Sequence, residues 1–247
     1  MLLLQAFVLL PQAHAHNDYA HPRPLLDALD QGFLSVEADI YFVDGELRVG
    51  HDRKDLKPGR TLESLYLDPL AQRVRKNKGT VYGQPGILTL LVDIKEDGPA
   101  VQSELTRRLP KYRAMLSERT GSTVQARAVQ IVLSGARTAD CAAGDGFLFK
   151  DGRPKDLADD SFRTPLISES YETALGTSLT PLPAEARAKL DELVRRTHAV
   201  GKRLRLWGTP DGPVTWGELR AAGLDLINTD RLAELRAYLL VPSKISK

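Results

Sequence analysis

Short apolar runs of strand-forming residues alternate with stretches of helical periodicity along this 247-residue chain. That alternation is the mark of a parallel sheet whose strands are buried on both faces by helices outside it. Strand-like runs fall at residues 7–14, 33–43, 86–94, 128–133, 146–149, 165–167, 203–207 and 224–227. Helical patterns fall at 22–31, from 61 onward, and at 101–116, 184–200, 215–222 and 230–239, the last with Asp230 as its N-cap. Asp44-Gly45 is a hairpin signal, and 46–50 reads as the returning strand. Eight strands in a chain of about 250 residues predict one α/β domain over 1–247, a (β/α)8 TIM barrel irregular in its middle third. Residues 140–160, rich in Gly, Asp and Lys, read as a long surface loop, and 242–247 as a frayed end.

The opening segment has two readings. Residues 1–10 are apolar apart from Gln5, and Ala13-His14-Ala15 follows, as in the core and cleavage site of a secretory leader. A first barrel strand has the same composition, although a leader's basic start is missing. A leader implies a secreted or periplasmic protein; a strand implies a cytoplasmic one. The run is too short to span a bilayer, and no later stretch is apolar enough to do so. A formal net charge of +2 gives no basic face of the kind nucleic acid requires. The single cysteine, Cys141, excludes both an intrachain disulfide and a cysteine-based zinc site.

In such a barrel, chemistry sits at the C-terminal ends of the strands, and the polar residues of this chain fall there. His16 and Asn17 follow the first strand, Glu37 and Asp39 lie on the second, and His51 and Asp52 follow its hairpin. Asp93 and Lys95 end the third strand, Trp207 and Asp211 the seventh, Asn228 and Asp230 the eighth. Glu37 and Asp39, two apart on a strand, share one face. Two carboxylates beside buried neighbours repel each other and lose hydration. A hard divalent cation, Mg²⁺ or Ca²⁺, offsets both costs. An exposed strand face with two solvated acids is the alternative. Asp93 and Lys95 repeat the spacing, either as a structural ion pair or as a metal ligand beside a phosphate-binding cation. His51 is an acid–base group or a surface turn residue, and of the pair His14 and His16 only one need be functional.

The stretch His16-Asn17-Asp18-Tyr19 resembles the His-Asn start of eukaryotic phosphoinositide phospholipase C catalytic domains. Glu37-Ala38-Asp39, Asp44-Gly45 and His51-Asp52 resemble the signature of glycerophosphodiester phosphodiesterases. The intervals His16 to Glu37 (21), Asp39 to His51 (12) and His51 to Asp93 (42) are similar to those of sphingomyelinase D toxins, which also carry Asp-x-Lys. The whole of 14–52 is similar to the altered-inheritance-of-mitochondria branch of the PLC-like phosphodiesterases. The specific likeness covers about residues 12–97. Departures are Asn-Asp in place of Arg-Gly after His16, and Asp93 in place of Glu.

The resemblance implies a metal-dependent phosphodiester hydrolase of lipid metabolism with catalytic His16 and His51. It implies metal ligands at Glu37, Asp39 and Asp93, with Asn17 as a fourth candidate. Lys95 is then the phosphate contact, with Trp207 as a further substrate-binding candidate, and the ligand a phosphodiester small molecule or lipid head group. Two rivals stand beside it. The His14-x-His16 pair also opens amidohydrolase sites, which need further metal-binding histidines, and the same barrel could bind phospholipid head groups without catalysis.

Overall fold

The computed structural model describes residues 7–241; the predicted frayed end at 242–247 and the first six residues of the leader-like run lie outside them. Within the described residues, eight strands run parallel: β1 (Leu10–Ala15), β2 (Phe33–Val43), β4 (Leu88–Ile94), β7 (Val129–Gly135), β8 (Leu148–Gly152), β9 (Leu166–Ser170), β10 (Arg203–Trp207) and β11 (Ile227–Thr229). The sheet order is β10-β9-β8-β7-β4-β2-β1-β11. Leu226 N–H donates to Leu204 O at 3.2 Å, and Arg205 bridges Leu226, which brings the two ends together into a nearly closed barrel. The short strand β3 (Glu46–Val49) folds back antiparallel on β2, and β5 (Glu118–Thr120) pairs with β6 (Thr123–Gln125) in a separate hairpin.

Two cores follow from the alternation of side chains along each strand. Leu91, Val132, Phe149, Leu166 and Leu226 fill the barrel interior as one buried cluster. Val36, Ile40, Leu90, Leu133 and Leu204 point outward into a larger core. There they meet apolar residues of α2 (Asp68–Lys76), α3 (Gly98–Arg108), α4 (Tyr171–Leu175), α5 (Ala184–Ala199), α6 (Pro213–Ala222) and α7 (Leu232–Leu240). The parallel strands of the barrel are thus covered on both faces, which is why most of them read as nearly continuous apolar runs.

Several elements depart from the expected boundaries for identifiable reasons. The helix expected at 22–31 shrinks to α1 (Leu26–Asp30). Pro24 disfavours helical geometry at Arg23, and Leu25 stands at φ 66°, its N–H held by Asp18 Oδ2 at 2.5 Å. The helical pattern at 61 begins as a π-helical turn, Glu63–Leu67, running into α2. The stretch 101–116 ends early at Arg108, followed by a 3₁₀ turn, Leu109–Tyr112, with Pro110 inside it. Residues 140–160 are not one loop, because β8 runs through them with Asp151 fully buried. No α-helix separates β7 from β8 or β8 from β9, and this is the irregular middle third. Asp230 is not the cap of the last helix: Arg231 occupies that position, and Thr229 Oγ1 accepts its N–H at 2.8 Å.

Candidate active site

The mouth of the barrel gathers most of the polar strand-end residues. Asp39 of β2 stands in register with Asp93 of β4, and Glu37 lies two residues earlier on the same face. The three carboxylates offer ligand atoms that all lie within 4.8 Å of one another. Gly135, at the end of β7, keeps this space open. A Cβ there would stand 2.7 Å from Asp93 Oδ1 and 2.3 Å from Ile94 O, and its φ of +68° suits glycine.

Each carboxylate is held differently. Glu37 Oε2 accepts from Arg205 NH2 at 2.6 Å and lies 3.1 Å from His14 Nε2. Burial acts to raise the Glu37 carboxyl, but the Arg205 charge and the His14 hydrogen bond outweigh it and hold it well below the usual range. Asp39 Oδ2 accepts from Tyr19 OH and Lys95 Nζ, each at 2.7 Å, and lies 3.1 Å from His51 Nδ1. Burial and the neighbouring Glu37 charge push the Asp39 carboxyl up despite those partners. Its second oxygen, Oδ1, is buried and accepts no hydrogen bond among the described residues. A buried carboxylate oxygen without a donor is costly, and here it belongs to a cluster of three acids. This donor set fits a hard divalent cation, which favours oxygen ligands. Asp93 Oδ2 takes Lys95 Nζ at 2.8 Å.

The two predicted catalytic histidines flank the cluster. His16 Nδ1 lies 2.9 Å from Asp230 Oδ1. Burial works against its protonation, but the Asp230 hydrogen bond and the Glu37 and Asp230 charges prevail, so its pKa is raised. His51 is carried in by the β2–β3 hairpin, whose turn residues Asp44 and Gly45 both have positive φ, as a tight hairpin requires. Its side chain is 62% exposed and anchored at Nδ1 by Asp39, while Tyr41 OH donates to its carbonyl at 2.9 Å. Asp52 turns away from it towards Lys54. The two residues of the His14-x-His16 pair separate in depth. His14 is fully buried, 2.7 Å from Ser35 Oγ, and desolvation with the Arg205 charge lowers its pKa to about 4.

Asn17, the fourth metal candidate, has a left-handed backbone, and its amide lies against His16 and Tyr19. Trp207 ends β10 on the strand face of Arg205 and is 42% exposed at the rim. Asp211 braces the end of β11, accepting from Thr229 Oγ1, Asp230 N and Trp216 Nε1. His198, the remaining histidine that an amidohydrolase reading could recruit, sits on α5 and pairs with Asp225 at 2.8 Å. Among the described residues the metal-type cluster is made of carboxylates alone.

Several residues of the site carry no role in the sequence reading. Tyr19 places one hydroxyl among Asn17, Asp39 and His51. Arg205 neutralises Glu37 from across the barrel. Asp151, Ser134 and Ser168 form a buried polar group on the opposite wall, with Arg153 on Asp151 at 3.1 Å. The alternation of Arg203 and Arg205 with leucines was the available signal for Arg205, since it sets both arginines inside the barrel.

A barrel of parallel strands with an acidic cluster and two histidines at its C-terminal mouth defines the class of PLC-like phosphodiesterase folds. The AIM6-like phosphodiesterase domain matches residues 4–145. Altered inheritance of mitochondria protein 6 of Eremothecium gossypii is 31% identical over 90% of this chain and 68% of its own length. The homologue from Arthroderma benhamiae is 27% identical over 91% of this chain and 82% of its own. The chain therefore belongs to the AIM6-like phosphodiesterase family. Its fold is similar to that of a glycerophosphodiester phosphodiesterase from Parabacteroides distasonis, with a TM-score of 0.54 at 16% identity, covering 92% of this chain and 96% of that one. No helix among the described residues is long and apolar enough to cross a membrane.

Proposed function

We propose that this chain is a divalent-cation-dependent phosphodiester hydrolase acting on a glycerophosphodiester, a phospholipid head group or a related phosphodiester. The observation that carries the reading is the cluster Glu37, Asp39 and Asp93, within 4.8 Å, flanked by two histidines. Each histidine has its Nδ1 against a carboxylate, at 2.9 Å for His16 and 3.1 Å for His51. That contact fixes the ring and leaves Nε2 for a substrate. One histidine takes the proton of the attacking hydroxyl and the other returns a proton to the leaving oxygen. Mg²⁺ or Ca²⁺ held by the three carboxylates supplies positive charge against the charge that builds on the non-bridging oxygens. Lys95 adds a cation beside the phosphate, and Trp207 offers an apolar face at the rim. Tyr19, whose proton burial and Asp39 hold on well above the ordinary tyrosine range, orients Asp39.

Turnover of bis(p-nitrophenyl) phosphate tests the reading. Activity that disappears on chelation, returns with Mg²⁺ or Ca²⁺ and falls by at least about 10²-fold in His16→Ala supports it. Turnover indifferent to chelation and to His16 sinks it.

A further inference from the structure

Two internal cations already sit on the three carboxylates. Arg205 NH2 lies 2.6 Å from Glu37 Oε2, and Lys95 Nζ lies 2.7 Å from Asp39 Oδ2 and 2.8 Å from Asp93 Oδ2. They are held in different ways. Arg205 is buried and also donates from Nε to Asn228 Oδ1 at 3.1 Å, so its planar fork is fixed at two points. The Lys95 ammonium has no partners besides the two aspartates among the described residues, and its side chain is partly open to solvent. It rides on a flexible four-carbon stem, so it can leave the aspartates where an arriving anion takes their place.

Among the described residues Asp39 Oδ1 has no partner, so the ammonium does not block a cation from that oxygen. What opposes binding is repulsion between a divalent cation and an ammonium that share the same carboxylate pair. A phosphate at the mouth gives the ammonium a second anion to move to. We infer that Lys95 is the resident counter-ion of the Asp39–Asp93 pair. It competes with the divalent cation for those carboxylates and passes to the phosphate of an arriving ligand, so cation and phosphodiester bind cooperatively. This inference rests on the metal-dependent reading above. By linkage, whatever factor the anion adds to cation affinity the cation adds to anion affinity.

Calorimetric titration of the full chain with Mg²⁺, with and without glycerol 3-phosphate, tests it. Lys95→Met is expected to bind Mg²⁺ at least about tenfold more tightly than wild type without phosphate, about 1.4 kcal/mol. Lys95→Arg, which keeps the charge, should stay within about threefold of wild type, because like charges repel in either form. Glycerol 3-phosphate should tighten Mg²⁺ binding in wild type and do so less in Lys95→Met. Melting curves verify that each variant is folded, and Lys95→Gln carries the same expectation if the methionine variant is not. Wild type and Lys95→Met binding Mg²⁺ equally well would overturn the inference and leave the metal site standing. Mg²⁺ binding by wild type that is indifferent to glycerol 3-phosphate would overturn it too. Failure of every variant to bind Mg²⁺ or Ca²⁺ would remove the metal reading and this inference with it.

Discussion

Replacing Arg205 with Met strips a buried carboxylate of its main counter-charge. Arg205 and Glu37 are both buried, 2.6 Å apart, with Asn228 and His14 as their remaining partners. Removing one member of a buried pair costs about 3–5 kcal/mol, because the other charge stays in a poor solvent. For a chain of this size each kcal/mol moves Tm by about 2–4 °C, so Arg205→Met should melt about 6–20 °C below wild type at pH 7. The pH dependence has a definite sign. Wild-type Glu37 is depressed well below the usual carboxylate range. Its contribution is present above the unfolded value and lost only as pH falls through the depressed folded value. The deficit of the variant should therefore be complete at pH 5 to 7 and shrink in stronger acid. Adding Glu37→Gln should recover much of the loss, and Mg²⁺ should raise Tm more in Arg205→Met than in wild type. Calorimetry at pH 3, 5 and 7 reads all of this. A variant within about 1 kcal/mol of wild type would refute the argument, because a buried pair cannot lose one partner so cheaply.

Other expectations bear on single residues. His14→Ala should reduce turnover less than His16→Ala, since His14 supports Glu37 and Ser35 from a buried position; equal or greater damage would make His14 the catalytic histidine. If His51 is the acid, His51→Gln should slow an ester with a poor leaving group far more than one that releases p-nitrophenol. Uniform loss would make it the base or a positioning residue, and an unchanged rate on both would remove it from the mechanism. His14, whose pKa burial lowers from 6.5 to about 4, takes up its proton more readily unfolded. Its titration should cost about 3 kcal/mol of stability as pH falls from 6.5 to 4, and His14→Gln should flatten that slope in melting curves. Asp18 is buried, and desolvation raises its pKa to about 7. Its charged form is the costly one, so Asp18→Asn should raise Tm at pH 8 and do little at pH 5. A loss at both values would show that the carboxylate is needed.

The depth to which this fold can be read from sequence follows from what each residue touches. The barrel was legible because strand burial writes itself into local apolar runs, and β2 and β10 match their predicted spans. Glu37 with Asp39, and Asp93 with Lys95, were legible because spacing by two sets side chains on one face and parallel register then aligns the pairs. Contacts between distant parts of the chain were not. Asp230 reads both as a polar residue at the end of the eighth strand and as a helix cap, which is what an Asp before an amphipathic stretch usually is. Only barrel closure brings it to His16, 214 residues away. Arg205 lies 168 residues from Glu37 on the same terms. Tyr19 shows no role of its own in the sequence, because its placement depends on how Asn17 and Leu25 bend the chain through positive φ. The shortened α1 comes from the same bend and from Pro24, whose effect a helical pattern conceals.

Phosphorus NMR of the purified chain with a panel of glycerophosphodiesters, lysophospholipids and inositol phosphodiesters tests the central claim most directly. The account predicts that at least one phosphodiester resonance is converted to a cyclic phosphate or a monoester in the presence of Mg²⁺ or Ca²⁺. Conversion should stop on chelation and be lost in Asp39→Asn and Asp93→Asn variants that still fold. A panel left intact under every cation, or converted equally well by the aspartate variants, would contradict it.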